Sequence, residues 1–127
     1  MPAGCQTFDK IGGDRLPACG VALQRLIAAP EQFSHMRVRT YGYISYSNHH
    51  AAALYPAEDL VGRVDPYTCV EIPLSGGARI EWDGQQPASG IYFSRVTGTF
   101  ATKAAEGTCA ARIDGASITD LSLVARP

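Results

Sequence analysis

Two segments of this chain alternate apolar and polar residues over about ten positions, and each carries a glycine near its middle. The first covers residues 36–46 around Gly42, and the second covers residues 91–102 around Gly98. Alternation with a period of two predicts half-buried β-strands. A glycine inside such a strand is typical of a bulge or a sharp bend. Because bent strands allow a small sheet to curl until it closes, the pattern favours a small β-barrel over a flat sandwich.

Shorter strand-like segments lie between and after these two. They cover residues 51–55, 68–73, 78–82, 110–113 and 118–124. Turn residues separate several of them, with clear examples at Asp83-Gly84 and Asp114-Gly115. The sequence therefore predicts a mainly β chain of five to seven strands, with one or two closing strands around Asp114-Gly115.

One α-helix is predicted ahead of the strands. Pro17 suits its first turn, where a missing N–H costs nothing, and the apolar residues that follow recur at helical spacing up to Ile27. Pro30 marks its end, because the residue before a proline avoids helical backbone angles. Residues 1–14 show little pattern and are predicted to be a flexible tail, which leaves residues 15–127 as one barrel domain.

Length and charge restrict the function. A chain of 127 residues fits one domain, and an apolar fraction of 46% with 18% charged residues is typical of a globular protein. The net charge of −1 offers no single-sign field for nucleic acid, which is therefore an improbable partner. No apolar run approaches the ~20 residues of a membrane-spanning helix.

The four cysteines are Cys5, Cys19, Cys69 and Cys109. Their spacing contains no C-x-x-C and matches no zinc-finger pattern, so a structural zinc site is not predicted. Cys69 and Cys109 each lie near the start of a strand-like segment, and we expect this pair to form a disulfide before any other. The alternative is that both are buried free thiols.

Small residues directly precede Cys5, in Pro2-Ala3-Gly4-Cys5. This resembles the end of a bacterial lipoprotein signal, although Pro2 stands where that signal usually has an aliphatic residue. One interpretation is that Cys5 carries a lipid and that the upstream signal has been lost from the sequence. The alternative is an ordinary cysteine in a cytoplasmic protein. Contact with a membrane is predicted only through such a lipid on Cys5.

The order of short motifs along the chain is also informative. A helix ending in APEQF (29–33) precedes VRTYGY (38–43) and ALYPAED (53–59), and VTGTF (96–100) comes last. This order resembles small bacterial proteins of the OB-fold type, several of which are secreted or lipid-anchored. The resemblance covers roughly residues 21–124 and implies an OB-like β-barrel preceded by one helix. It implies no particular ligand, since OB-folds serve unrelated functions.

Arginine and tyrosine side chains share one face of the first long strand. Arg37, Arg39, Tyr41 and Tyr43 are two residues apart and would project to the same side. In an OB-type barrel, exposed aromatic and arginine side chains on early strands bind bases or sugars. These four are the predicted ligand-binding residues. The alternatives are that the tyrosines belong to the barrel core and that the arginines lie on a solvated strand face.

No catalytic motif stands out. Ser75-Gly76 and Ser89-Gly90 lack the flanking glycine of a nucleophile elbow. His49-His50 is a poor metal pair, because adjacent side chains on an extended segment point to opposite sides. The sequence therefore predicts no catalytic residue, no metal and no cofactor.

Two functions are compatible with these patterns. The first is a non-enzymatic domain of the bacterial envelope, periplasmic or anchored at the outer membrane, that binds a partner protein or a small ligand. The second is a cytoplasmic OB-fold domain that binds single-stranded nucleic acid or an oligosaccharide through the four-residue face. The net charge favours the first.

Overall fold

The computed structural model describes residues 7–11, 14–47, 53–63, 65–73, 78–81, 89–102 and 109–125, with residues 7–17 and 66 described by their backbone alone. The strands are β1 (Thr7–Ile11), β2 (Asp14–Gly20), β3 (Arg37–Tyr46), β4 (Ala53–Tyr55), β5 (Val70–Glu71), β6 (Arg79–Ile80), β7 (Gly90–Ala101) and β8 (Ala111–Ala125). The described helices are α1 (Leu23–Ala28) and 3-10 turns at Pro30–Phe33, Glu58–Leu60 and Pro66–Thr68.

Five strands close into a barrel in the order β3, β4, β5, β8 and β7. Neighbours pair antiparallel except β5 and β8, which are parallel, and β7 closes the ring by pairing with both β8 and β3. β2 extends the sheet from β3, β1 pairs with β2, and β6 pairs with β8. The prediction of a small, mainly β, OB-like barrel with a helix ahead of it is confirmed.

The bend predicted at Gly98 is a bulge between β7 and β8. Thr97 pairs with Ser117 but Thr99 pairs with Asp114, so β8 carries an extra residue there. A Cβ on Gly98 would lie 2.5 Å from Cγ2 of Ile113 and 2.7 Å from the carbonyl oxygen of Asp114. β8 therefore runs as one strand of 15 residues through the Asp114-Gly115 position, where the sequence left one or two strands open.

Gly42 has a different role from the bulge or bend that the sequence predicts. The pairing of β3 with β7 stays in register from Arg37 to Tyr46, without a bulge. A Cβ on Gly42 would lie 2.8 Å from Cγ of Leu54 and 2.8 Å from the carbonyl oxygen of Tyr55. Glycine is required here because β4 packs directly against the β3 backbone.

The helix is shorter than predicted. Residues 14–20 form β2, and α1 begins only at Leu23. Pro17 pairs with Lys10 of β1 in a part of β2 that has no β3 partner, where its missing N–H is tolerated. The predicted stop is correct, because α1 ends one residue before Ala29 and Pro30 starts a 3-10 turn.

The N-terminal segment also differs from the predicted tail of residues 1–14. Thr7–Ile11 forms β1 and pairs antiparallel with β2, which in turn pairs with β3 at Cys19 and Gly20. Backbone pairing of this kind needs no alternation of apolar side chains, and therefore the pattern offered little sign of it. Residues 1–6 and 12–13 lie outside the described part of the chain.

The core fills the barrel and continues beneath α1. The inward side chains of β3, β7 and β8 meet there, among them Val38, Ile44, Val96, Phe100, Ile113 and Ile118. α1 and the following 3-10 turn add Leu23, Leu26 and Phe33, all with at most 2% of their surface exposed. Each such side chain contributes about 1.5–3 kcal/mol by leaving water.

Cys69 and Cys109 form a disulfide, with their Cα atoms 5.3 Å apart. The predicted pair is therefore confirmed. The bridge joins the residue before β5 to a residue two positions before β8, beside the parallel pair of the barrel. This pairing covers only Val70 with Ala111 and Glu71 with Arg112, so the covalent link reinforces a short contact that is the one parallel pairing in the five-strand ring.

Substitution of Gly98 by alanine tests whether the bulge requires a residue without a Cβ atom. We expect Gly98→Ala to lower the free energy of unfolding by about 1–3 kcal/mol, the usual cost of overpacking, because Ile113 and the β8 backbone occupy the space of the Cβ. Thr99→Ala, at an exposed position of the same strand, is the control and should cost about 1 kcal/mol at most. Urea denaturation measures both, and equal losses would contradict the role given to Gly98.

A candidate ligand-binding face

The outer face of β3 carries the four residues predicted from the sequence. Burial alternates along the strand, with Val38, Thr40, Gly42, Ile44 and Tyr46 inward. Arg37, Arg39, Tyr41 and Tyr43 lie on the opposite side. The prediction that they share one face is confirmed, whereas their role in binding stays a prediction.

Phe93 of β7 joins the two tyrosines in an aromatic cluster, defined as Tyr41, Tyr43 and Phe93. Phe93 lies opposite Tyr43 in the β3–β7 register, and their ring centroids are 5.1 Å apart with planes at 63°. The rings of Tyr41 and Phe93 are nearly parallel, with planes at 11° and centroids 6.0 Å apart. Both distances fall in the range of favourable aromatic pairs.

The aromatic cluster lies at the surface. Tyr41 is 48% exposed and Phe93 is 38% exposed, while Tyr43 between β4 and β7 is half-buried. The alternative that the tyrosines belong to the barrel core is therefore wrong for Tyr41. Two large rings remain partly in water although the barrel beneath them is closed, which is unusual enough to need an explanation.

A groove of about 470 Å³ lies over the aromatic cluster. Residues 20–24, which lead from β2 into α1, form one wall, and Pro56 after β4 contributes another part. The backbone N–H of Val21 donates to the carbonyl oxygen of Arg39 at 3.1 Å, which ties this wall to β3. The groove is thus built on paired strands and a tethered connection.

Arginines border the aromatic cluster. Arg39 lines the groove, and Arg37 lies one position further along the same face without lining it. Arg95 of β7, opposite Tyr41, forms an ion pair with Asp120 at 3.2 Å and donates from Nε to the hydroxyl of Thr119 at 3.1 Å. The structure therefore places Arg39, Tyr41 and Tyr43 at the groove and adds Phe93 to them.

Sequence reasoning missed Phe93 because its face depends on register. Tyr92 and Phe93 are adjacent, so one must point inward and the other outward. Tyr92 is buried and packs edge-on against Tyr46 of β3, with ring centroids 6.3 Å apart. The adjacent aromatic pair in a strand was the available signal, but only the strand pairing decides which ring meets Tyr43.

The carboxylate of Asp65 has a structural role. The carboxylate of Asp65 accepts a hydrogen bond from the N–H of Tyr67 at 3.0 Å and caps the 3-10 turn Pro66–Thr68. Within the described residues, no three histidine, cysteine, aspartate or glutamate side chains lie close enough to hold a metal ion. His49 and His50 lie outside that part of the chain.

Cys5, the predicted site of lipidation, also lies outside the described residues. Cys19 is buried and disulfide-bonded. Of the helices in the described part of the chain, none has the length and apolar character that a membrane-spanning helix requires.

The chain matches no protein-family model, and no curated protein or solved structure is significantly similar to it. Its description as an OB-like barrel therefore rests on the order and direction of its strands. The candidate face likewise rests on geometry alone.

Two tyrosines on opposite faces of β3 test the assignment of the aromatic cluster to the surface. We expect Tyr41→Ala to lower the free energy of unfolding by about 1 kcal/mol or less, because the ring is half in water and loses mainly its contact with Phe93. Tyr46→Ala, which removes a buried ring, should cost about 3–5 kcal/mol. Urea denaturation of the two variants measures the difference, and similar losses would place Tyr41 in the core.

Proposed function

We propose that this chain is a non-enzymatic bacterial binding domain located outside the cytoplasm, which holds a partner protein or a small ligand over the aromatic cluster. One observation carries the proposal: Tyr41 and Phe93 keep their rings partly in water on the floor of a groove.

Exposed aromatic rings beside arginine are typical of binding surfaces. Tyrosine, phenylalanine and arginine are enriched at protein interfaces, where a few such residues supply most of the binding energy. Here the backbone that carries the rings is in place before any ligand arrives, because Tyr41 and Tyr43 lie in a ten-residue register with β7. A preformed site loses less entropy on binding. The groove volume of about 470 Å³ also falls within the usual range for small-ligand sites.

The disulfides support a location outside the cytoplasm. Cys69 is bonded to Cys109, and Cys19 is disulfide-bonded as well. Structural disulfides persist in oxidising compartments and are rare in the cytosol. This argues against the second candidate, a cytoplasmic domain for single-stranded nucleic acid, as does the net charge of −1.

A lipid anchor on Cys5 is the finer part of the proposal, and it is separable from the rest. Lipidation of a cysteine consumes its sulfur in a thioether, so a lipid on Cys5 and a disulfide from Cys5 exclude each other. The periplasmic and the membrane-anchored forms therefore differ in the number of thiols that reduction releases.

Thiol counting on protein from its native cells tests the compartment. We expect Cys69 and Cys109 not to react with iodoacetamide before reduction, because they are bonded to each other. In denaturant, a soluble periplasmic form takes up no label before reduction and four after it. An anchor on Cys5 leaves three cysteines, so it gives one label before reduction, three in total after it, and a diacylglyceryl mass increment. Intact-mass spectrometry reads both numbers. Reactive Cys69 and Cys109 in freshly isolated protein would contradict a location outside the cytoplasm.

Photo-crosslinking tests the binding face. We expect a photoreactive phenylalanine analogue in place of Tyr41 to give one discrete adduct, with a protein or a small molecule, in an envelope extract of the native cells. The matched control places the analogue at Leu123, which is 45% exposed, close to the exposure of Tyr41, and lines neither pocket. Intact mass identifies the adducts. Excess purified wild-type domain should compete the adduct away, and the Phe93→Ala domain should not.

The same experiment separates the candidate functions. Equal labelling from positions 41 and 123, or equal competition by wild type and Phe93→Ala, would contradict a ligand on the aromatic cluster. If hexathymidylate also competes the adduct away, that result would favour the nucleic-acid function.

A further inference from the structure

A second pocket lies apart from the groove, between α1 and the disulfide. Its volume is about 360 Å³, within the range of small-ligand sites. We call it the helix pocket, and its lining includes Leu26, Glu31, Tyr67, Cys69 and Ala111. None of these residues lines the groove over the aromatic cluster.

The floor of the helix pocket is apolar, and a disulfide links two of its walls. Leu26, Cys69 and Ala111 are buried and belong to α1, the disulfide and β8, respectively. The bond from Cys69 to Cys109 joins the wall that precedes β5 to the wall that begins β8. A ligand would therefore enter a preformed cavity and bury apolar surface at its base.

Among the described residues that line the helix pocket, one carries a formal charge. It is Glu31, in the 3-10 turn after α1. Among the described residues Glu31 takes part in no ion pair. A negative charge at the mouth of an apolar cavity favours a cationic group there and repels an anionic one.

Tyr67 adds an aromatic face to the same mouth. Its ring is 73% exposed, while its backbone is fixed, because its N–H donates to Asp65 and the hydroxyl of Thr68 donates to the Asp65 carbonyl oxygen at 2.9 Å. An exposed phenol on a fixed backbone is suited to a cation–π contact with an ammonium group.

We propose that the helix pocket binds a small organic cation, in which an ammonium group meets Glu31 and Tyr67 and an apolar body lies on Leu26 and Ala111. This site is independent of the ligand proposed for the aromatic cluster. It would give the chain two separate binding sites. Residues 20–24, up to the start of α1, line the first, and residues 26–28, 30 and 31, from the end of α1 onward, line the second.

Three ligands that share a phenethyl group test the charge preference. Phenethylamine is cationic, 2-phenylethanol is neutral and 3-phenylpropanoate is anionic, and each is titrated into ¹⁵N-labelled protein and followed by amide chemical shifts. We expect shifts at residues 26–31, 67–69 and 110–111. Phenethylamine should bind about tenfold more tightly than 2-phenylethanol, the combined effect of an exposed ion pair and a cation–π contact, and the anion most weakly.

Two substitutions separate the charge from the ring. Glu31→Gln keeps the shape and should weaken phenethylamine about threefold to fivefold while leaving 2-phenylethanol unchanged. Tyr67→Leu should weaken the amine about threefold. The controls are Glu58→Gln, an exposed carboxylate elsewhere, and Tyr41→Leu, an exposed tyrosine in the other groove. Neither control should change the affinity for the amine.

Several results would overturn the proposal. They are the absence of amide shifts around the helix pocket, equal affinity for the amine and the alcohol, and equal losses in Glu31→Gln and Glu58→Gln. Shifts confined to β3 and β7 would move the cation to the aromatic cluster, which would refute the helix pocket without refuting the function proposed above.

Discussion

The pairing of β3 with β7 is the interaction on which the rest of the structure depends. Ten residue pairs run in register from Arg37 with Thr99 to Tyr46 with Gly90, and they close the ring by joining β3 to β7. Without this contact the other pairings would leave an open sheet. By comparison, β4 and β5 contribute only two residue pairs at each of their edges. Since the paired residues are about 50 positions apart, this ladder costs considerable loop entropy, which the inward side chains Val38, Ile44 and Val96 offset by burial.

The same ladder fixes the candidate face. Because side chains alternate across a strand, a register that buries Ile44 and Tyr92 must turn Tyr43 and Phe93 outward together. A slip of one residue would exchange the buried and exposed sets and destroy core and face at once. The backbone that carries the aromatic cluster is therefore fixed with the barrel, and its exposed rings cannot move into the core without a change of register. This is the physical reason to treat the cluster as a binding surface and not as misplaced core.

Sequence reasoning succeeded where local pattern decides the outcome. Alternation from Arg37 to Tyr46 predicted both the strand and the shared face of its arginines and tyrosines, and Gly98 marked a real bulge. It failed where pairing with a segment distant in the sequence determines the local structure. The β1–β2 hairpin replaces the start of the predicted helix, because β2 pairs with β3. Phe93 contacts the tyrosines only because of the strand register. The helix pocket could not be predicted from the sequence for the same reason, since only the closed barrel brings Glu31, Tyr67 and Ala111 together.

The two candidate sites differ in what holds them. The aromatic cluster lies on ten consecutive backbone pairs, whereas the helix pocket spans the β5–β8 contact, which has two pairs and a covalent bond. Local stability follows the number of buried contacts and hydrogen bonds around a segment. Opening the Cys69–Cys109 bond would therefore loosen the walls of the helix pocket before it disturbed the face on β3 and β7. The disulfide thus has a local consequence beyond its general effect on the unfolded chain: it keeps the weaker of the two sites preformed.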